Sequence, residues 1–275
     1  MILLILLILI KKKKERFTNL NKFNKTIYVY WDKGVEGLPP LLYTIYKKNK
    51  EKAKKYGYKY EFITKKNIHN FVDVPDIFYK LEPNFQSDIC RFFILNKYGG
   101  IWIDCDIMIT NNFNNFVEKM EKNNKDFLIL TEWDEKNNEM ATCCFIMAYK
   151  NTITSNFCVN YIQDVLNSKK KLFWGIIGPY TTKNAYEKYK KNILLIDKKQ
   201  SENSIQYINV NDKPGLDTNK WLKKNDKMAK KIFKTIKNYN HPIIITWTLY
   251  RNTKINSKDI NDLVFNKKKL IFYYF

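Results

Sequence analysis

Hydrophobic and polar positions along this chain switch repeatedly between a period of two and a period near 3.6. Residues 26–31, T-I-Y-V-Y-W, are β-branched and aromatic, and the run breaks at Asp32, Gly34 and the Pro39-Pro40 pair, which predicts a strand and its loop. Leu41, Leu42, Ile45, Tyr46, Ala53 and Tyr56 recur at helical spacing up to Gly57, and residues 59–64 return to strand character. Strand, helix, strand predicts a parallel sheet. A second helix is predicted over 84–98, with Phe85, Ile89, Phe92, Phe93 and Asn96 on one side and Gly99 as its stop. Residues 101–103 then form a short buried strand that runs straight into Asp104-Cys105-Asp106. Further strands are predicted over 127–131, 141–148, 193–196, 204–210 and 243–249, and helices over 153–166, 181–189 and 221–237. No linker rich in Pro, Gly or Ser divides the chain, and no internal repeat marks a solenoid or propeller. The expectation is one α/β domain over residues 15–275, preceded by a separate segment, 1–14.

Composition supports a folded domain. The chain has 275 residues, 45% hydrophobic, with 19 Tyr and 18 Phe, enough apolar content to fill a sizeable core. The formal charge of +22 raises nucleic acid or an anionic membrane as partners. Half of that excess sits in residues 220–275, and the vocabulary is heavy in Lys, Asn and Ile throughout, so the charge reads first as compositional bias on a solvated face. The helix over 221–237 sets Leu222, Ala229, Ile232, Phe233 and Ile236 against a lysine-rich face, a pattern shared by surface helices and by membrane-binding ones. Five cysteines without C-x-x-C spacing, and only two histidines, indicate neither a zinc site nor a disulfide framework; a reducing, cytoplasmic compartment follows.

Residues 2–10 are wholly apolar and are followed by Lys11 to Lys14. As a helix this run reaches only ~14 Å at 1.5 Å per residue, against ~30 Å of hydrocarbon, so it cannot span a bilayer alone. It lacks the order of a signal peptide. It reads equally as a short membrane-associating anchor or as a sticky first strand.

Asp104 and Asp106 lie two apart after a strand, so extended backbone would direct both side chains to one side. Two hard oxygen ligands at the carboxyl end of a strand suit magnesium or manganese, which takes phosphate oxygens and water as its other ligands. A lone D-x-D more often marks a turn. Its surroundings are specific: Ser87-Asp88-Ile89-Cys90-Arg91, then Leu95, then Tyr98-Gly99-Gly100-Ile101-Trp102-Ile103-Asp104-Cys105-Asp106. This stretch resembles the S-D-x-x-R, L-x-x-x-G-G-x-[YW]-x-D-x-D signature of glycosyltransferases with a DXD motif. With Tyr30-Trp31-Asp32, Leu38-Pro39-Pro40 and Val72-Asp73-Val74-Pro75, the chain looks like the capsular polysaccharide synthesis, or sugar-binding-region, family of glycosyltransferases. The likeness is dense over 26–110. It thins downstream to Gly178-Pro179 with Thr181 and Thr182, and to 241–247.

The resemblance implies a GT-A type fold, a Rossmann-like, mostly parallel mixed sheet flanked by helices. It implies a UDP- or GDP-sugar donor, a glycan or glycoconjugate acceptor, and a divalent cation on Asp104 and Asp106. Asp88 and Arg91 would contact the donor sugar and phosphates; the bland reading is a local ion pair one helical turn apart. Trp31 would stack on the nucleotide base, although Tyr28 and Tyr30 compete for that role and Trp31 could be a core aromatic. Gly99 and Gly100 read as a helix stop and sharp turn. His241 is a candidate third metal ligand, His69 a weaker one. Glu132 and Asp134, around Trp133, could supply a general base if the reaction inverts the anomeric centre. If it retains configuration, as the related families suggest, the leaving phosphate can take the proton. An inactive GT-A-fold binding protein and a basic nucleic-acid-binding protein are the competing readings; neither nucleotide-binding glycine motif, G-x-x-x-x-G-K-[ST] or G-x-G-x-x-G, is present.

Overall fold

Thr26–Tyr30 (β1) is buried on both faces, as an interior strand of a covered sheet must be. The structure, a computed structural model, describes residues 22–109, 111–131, 133–134, 139–140, 143–168, 171–197 and 243–245. Helix α1 (Pro40–Lys55) starts on proline, and Lys59–Ile63 (β2) returns parallel to β1. Helix α2 (Pro83–Tyr98) leads into Gly100–Ile103 (β3), parallel to β1 on its other side. After β4 (Ile107–Ile109) and α3 (Asn114–Lys122) come β5 (Phe127–Thr131) and a two-residue hairpin, β6 (Trp133–Asp134) with β7 (Glu139–Met140). The described chain continues through β8 (Phe145–Ala148), α4 (Ile153–Asn167), α5 (Pro179–Tyr189), β9 (Ile193–Asp197) and β10 (Ile243–Ile245).

The main sheet has the order β2-β1-β3-β8-β5-β9. Five strands run one way, and β8 runs against both of its neighbours. This is the mostly parallel, mixed α/β sheet expected from the sequence. Strand alternation divides the core between its faces. Tyr28, Tyr30, Trp102, Phe127, Ile129 and Ile146 pack with α2, α4 and α5 on one face, and Ile27, Val29, Ile101, Ile103, Leu128 and Phe145 pack on the other with α3 and β4. A second short ladder pairs β4 with β10, Ile107 opposite Ile245 and Ile109 opposite Ile243.

Several sequence expectations change here. Helix α2 was expected to bury one side; instead every residue from Ile89 to Leu95 is buried, because the helix lies between the sheet and α4. Of the strand expected over 141–148, Phe145–Ala148 forms β8 and Cys143 and Cys144 lie outside it, while residues 141–142 lie outside the described residues. Neither β4 nor α3 was predicted. Three residues are too few to show a period, and α3 has only Phe116, Val117 and Met120 as apolar positions. The expected strand 204–210 and helix 221–237 lie outside the described residues, as do residues 1–21 with the apolar segment. Among the described residues no helix is long and apolar enough to cross a membrane.

The order of connections locates the site. From β1 the chain steps to β2 on one side, then crosses to β3 on the other, so β1 and β3 flank the topological switch point. Loops leaving the carboxyl ends of such strands diverge and open a crevice.

Candidate active site

A cavity of about 550 Å³ opens at that crevice. It falls within the ~300–1,000 Å³ of small-molecule sites. Trp31 from the end of β1, Asp104 and Asp106 from the end of β3, Asp88 and Arg91 from α2, and Trp174 from the loop before α5 all line it.

The approach to the carboxylate pair is built by two glycines. Gly99 ends α2 at φ 65°, and a Cβ there would come 2.8 Å from the Ala148 carbonyl oxygen. Gly100 has φ 105°, and its Cβ would lie 2.7 Å from the Thr26 carbonyl oxygen. Both need positive φ and backbone contact, which only glycine tolerates without strain. Along β3 the two-residue period then sets Trp102 and Asp104 on the α2 side.

Asp104 is held by its surroundings. Its Oδ1 accepts from Arg91 Nη2 at 2.8 Å and from the Trp102 indole at 2.9 Å, while the fully buried Trp102 ring gains the partner its N–H requires. Among the described residues neither contact uses Oδ2, and the Asp104 side chain is 32% exposed. The pair does not sit in extended backbone as the spacing suggested. Ile107 N–H donates to the Asp104 carbonyl at 3.0 Å, so residues 104–107 form a turn that reverses the chain into β4. Both carboxylates still line the cavity, and Cys105 between them turns its thiol toward the Tyr30 carbonyl, 3.0 Å away.

Arg91 is 3% exposed, and its fork is committed within the protein. Nη1 meets Asp88 Oδ1 at 2.9 Å and also the Cys143 sulfur, Nη2 meets Asp104, and the guanidinium lies 5.5 Å from the Trp102 ring. Nε makes no hydrogen bond among the described residues. Burial works against the charge, but Asp104, Cys143 and Asp88 outweigh it and hold the guanidinium firmly protonated. Asp88 responds in the opposite sense. Burial raises its carboxyl to about 6, Arg91 pulls it down, and Asp104 adds to the rise. Gly178 seals this carboxyl from above: a Cβ at residue 178 would come 2.5 Å from Asp88 Oδ2. The Gly178-Pro179 step of the sequence is therefore a wall of the Asp88 site.

Trp31 lies one residue beyond β1, half-buried, with its indole donating to the Gly37 carbonyl at 3.1 Å. Its competitors are core residues: Tyr28 and Tyr30 are buried, and the Tyr30 hydroxyl donates to Gln86 Oε1 at 2.6 Å. His69 is exposed in a short turn and does not line the cavity. His241 and Glu132 lie outside the described residues, and of Asp134 only the backbone, in β6, is described. Among the described residues no cluster of three His, Cys, Asp or Glu side chains is placed to hold a metal. The two carboxylates nevertheless suit a hard cation whose remaining positions are filled by donor oxygens and water. The sequence reading missed Cys143 and Trp174 as lining residues; the only signal for them was proximity to the Gly178-Pro179 step and to β8.

An α/β domain with a carboxylate pair at its switch-point crevice defines the class. The chain belongs to the capsular polysaccharide synthesis protein family, whose model matches residues 6–253. Among curated proteins nothing matches it. Among solved structures it is similar to the PaToxG glycosyltransferase, with 16% identity and a TM-score of 0.40 over 87% of this chain and 83% of that one. It is also similar to a glycosyltransferase involved in the glycosylation of the major capsid of PBCV-1, with 11% identity and a TM-score of 0.44 over 88% of this chain and 98% of that one.

Proposed function

We propose that this chain is a metal-dependent glycosyltransferase that moves a sugar from a UDP- or GDP-sugar to a hydroxyl of a glycan or glycoconjugate, with retention of anomeric configuration, in polysaccharide synthesis. The observation that carries the reading is the Asp104–Asp106 pair at the lip of a nucleotide-sized cavity, with Asp104 oriented by Arg91 and Trp102. In the reaction the acceptor oxygen bonds to the anomeric carbon, the bond from that carbon to the diphosphate breaks, and its electron pair leaves with the diphosphate. Asp104 and Asp106 would hold a manganese or magnesium ion, which would supply positive charge against that leaving group.

The protein's own residues divide the remaining work. Trp31, pinned through Gly37, offers a face on which the base can stack. Asp88 accepts from donor-sugar hydroxyls. Arg91 offsets the negative charge of Asp88 and Asp104 and keeps both in place, so that neither reorganises as charge shifts in the transition state. With Asp88 paired to Arg91, the acceptor proton passes to the departing phosphate oxygen. The apolar segment 2–10 with Lys11 to Lys14 would bring this domain to an anionic membrane surface from the cytoplasmic side.

Manganese-stimulated hydrolysis, screened across nucleotide sugars, identifies the donor. With that donor, Asp104→Asn and Asp106→Asn should each lose about 10²-fold or more in turnover while the far-UV spectrum and melting temperature stay near wild type. Wild-type turnover in either variant, with metal present, removes that residue from the site.

A further inference from the structure

Trp174 is 63% exposed, an unusual setting for the largest side chain in a folded domain, and it lines the same cavity as the carboxylate pair. It sits in the loop before α5, four residues upstream of the Gly178 that abuts Asp88. The loop itself is well held. Gly178 N–H and Tyr180 N–H both donate to the Gly175 carbonyl, at 3.1 and 3.0 Å, Ile177 is fully buried, and the Phe173 ring meets Tyr180 edge-on at 5.7 Å. Trp174 projects from this frame, and among the described residues no hydrogen bond or ring contact holds its indole.

We propose that Trp174 is the acceptor platform, a flat aromatic surface on which a pyranose ring of the acceptor glycan stacks while its hydroxyl approaches the donor sugar near Asp88. The inference rests on the glycosyltransferase reading above. Three features favour a sugar ring over the other candidates for that surface. The core does not use the indole, since Ile177 and Phe173 anchor the loop without it. The base already has a pinned aromatic in Trp31, and a donor that must be held in one pose suits a pinned ring better than a projecting one. A sugar presents apolar C–H faces between polar edges, which matches a rigid amphipathic ring at a wet rim, where aromatic contact supplies area at little entropic cost.

The test compares wild type, Trp174→Ala and Trp174→Phe in the full chain by three readouts: nucleotide-sugar affinity, donor hydrolysis by water, and transfer to a panel of methyl glycosides and disaccharides. Trp174→Ala should leave affinity and hydrolysis within about twofold, raise the acceptor KM at least tenfold, and be restored to within about threefold by Trp174→Phe. The proposal is overturned if Trp174→Ala transfers like wild type, or if donor affinity falls in step with transfer, which would place the ring on the donor. It is also overturned if wild type hydrolyses donor yet uses no saccharide of the panel, because the acceptor is then not a sugar ring. Failure of wild type to bind or hydrolyse any nucleotide sugar is a separate result and removes the transferase reading with it.

Discussion

At the scale of single residues, the site is organised by charge compensation. Among the described residues Arg91 is the cation buried against Asp88, Asp104 and the Cys143 thiol; these partners keep its guanidinium charged, whereas burial raises the Asp88 carboxyl against the pull of Arg91. Asp88 carries a testable consequence. Its carboxyl is raised from 3.8 to about 6, so the folded chain binds this proton more tightly than the unfolded chain does. This group's contribution to stability therefore increases as pH falls through that window, and its charged form is a penalty above about pH 6. If Asp88 accepts from donor-sugar hydroxyls as proposed, donor binding should show the reverse dependence: affinity should fall by up to about tenfold per pH unit below pH 6. The sugar diphosphate, esterified at both ends, does not titrate there. Isothermal titration between pH 5 and 8 measures the effect, and Asp88→Asn should be weak and flat across the range. A loss of affinity at low pH that persists in Asp88→Asn would assign the titration elsewhere.

At the scale of elements, the carboxylate turn depends on a strand too short to stand alone. Strand β4 begins one residue after Asp106, and α1 supports its edge through one buried amide: Asn49 Nδ2 donates to the Ile107 carbonyl at 2.7 Å, and Ile109 N–H donates to Asn49 Oδ1 at 2.8 Å. Asn49→Ala would leave both backbone groups unpaired in a buried setting, at about 1–3 kcal/mol. The urea midpoint should fall by that amount with an unchanged slope, and metal-stimulated hydrolysis should fall further than stability alone explains, since the turn carrying Asp106 loosens. Equal losses in both measurements would mean that Asn49 supports the fold but not the site. Helix α4 is an independent case of local sequence control: Thr152 and Ser155 cap it reciprocally, at 3.1 and 3.0 Å, at the boundary expected from the apolar period.

At the scale of the whole molecule, the three-layer arrangement leaves the crevice where β1 and β3 diverge, and ligands there join elements distant in sequence: the ends of β1 and β3, the middle of α2 and the loop before α5. Donor and metal together should therefore stabilise the whole domain. At 100 times Kd the gain is about 2.7 kcal/mol, a rise in Tm of about 5–10 °C for a domain of this size. Manganese should enlarge the shift produced by nucleotide sugar in wild type and not in Asp106→Asn; differential scanning fluorimetry reads both.

Local signals were sufficient for the α/β class, for most of the described strands and helices, and for the run from Ser87 to Asp106, because short-range periodicity, glycine stops and a dense motif are properties of neighbouring residues. Strand β4 and helix α3 escaped, since they exist through contacts with α1, β10 and the sheet rather than through any period of their own. The site's geometry was likewise settled only by folding. That Asp104 and Asp106 occupy a turn, that Arg91 is shared between two carboxylates, that Tyr30 is buried while Trp31 is only half-buried at the cavity, and that Gly178 and Trp174 reach the same crevice are all outcomes of long-range packing. Sequence spacing carries the direction of a side chain for a few residues along one element; which elements meet, and which faces remain open to a ligand, depends on how the sheet orders its strands.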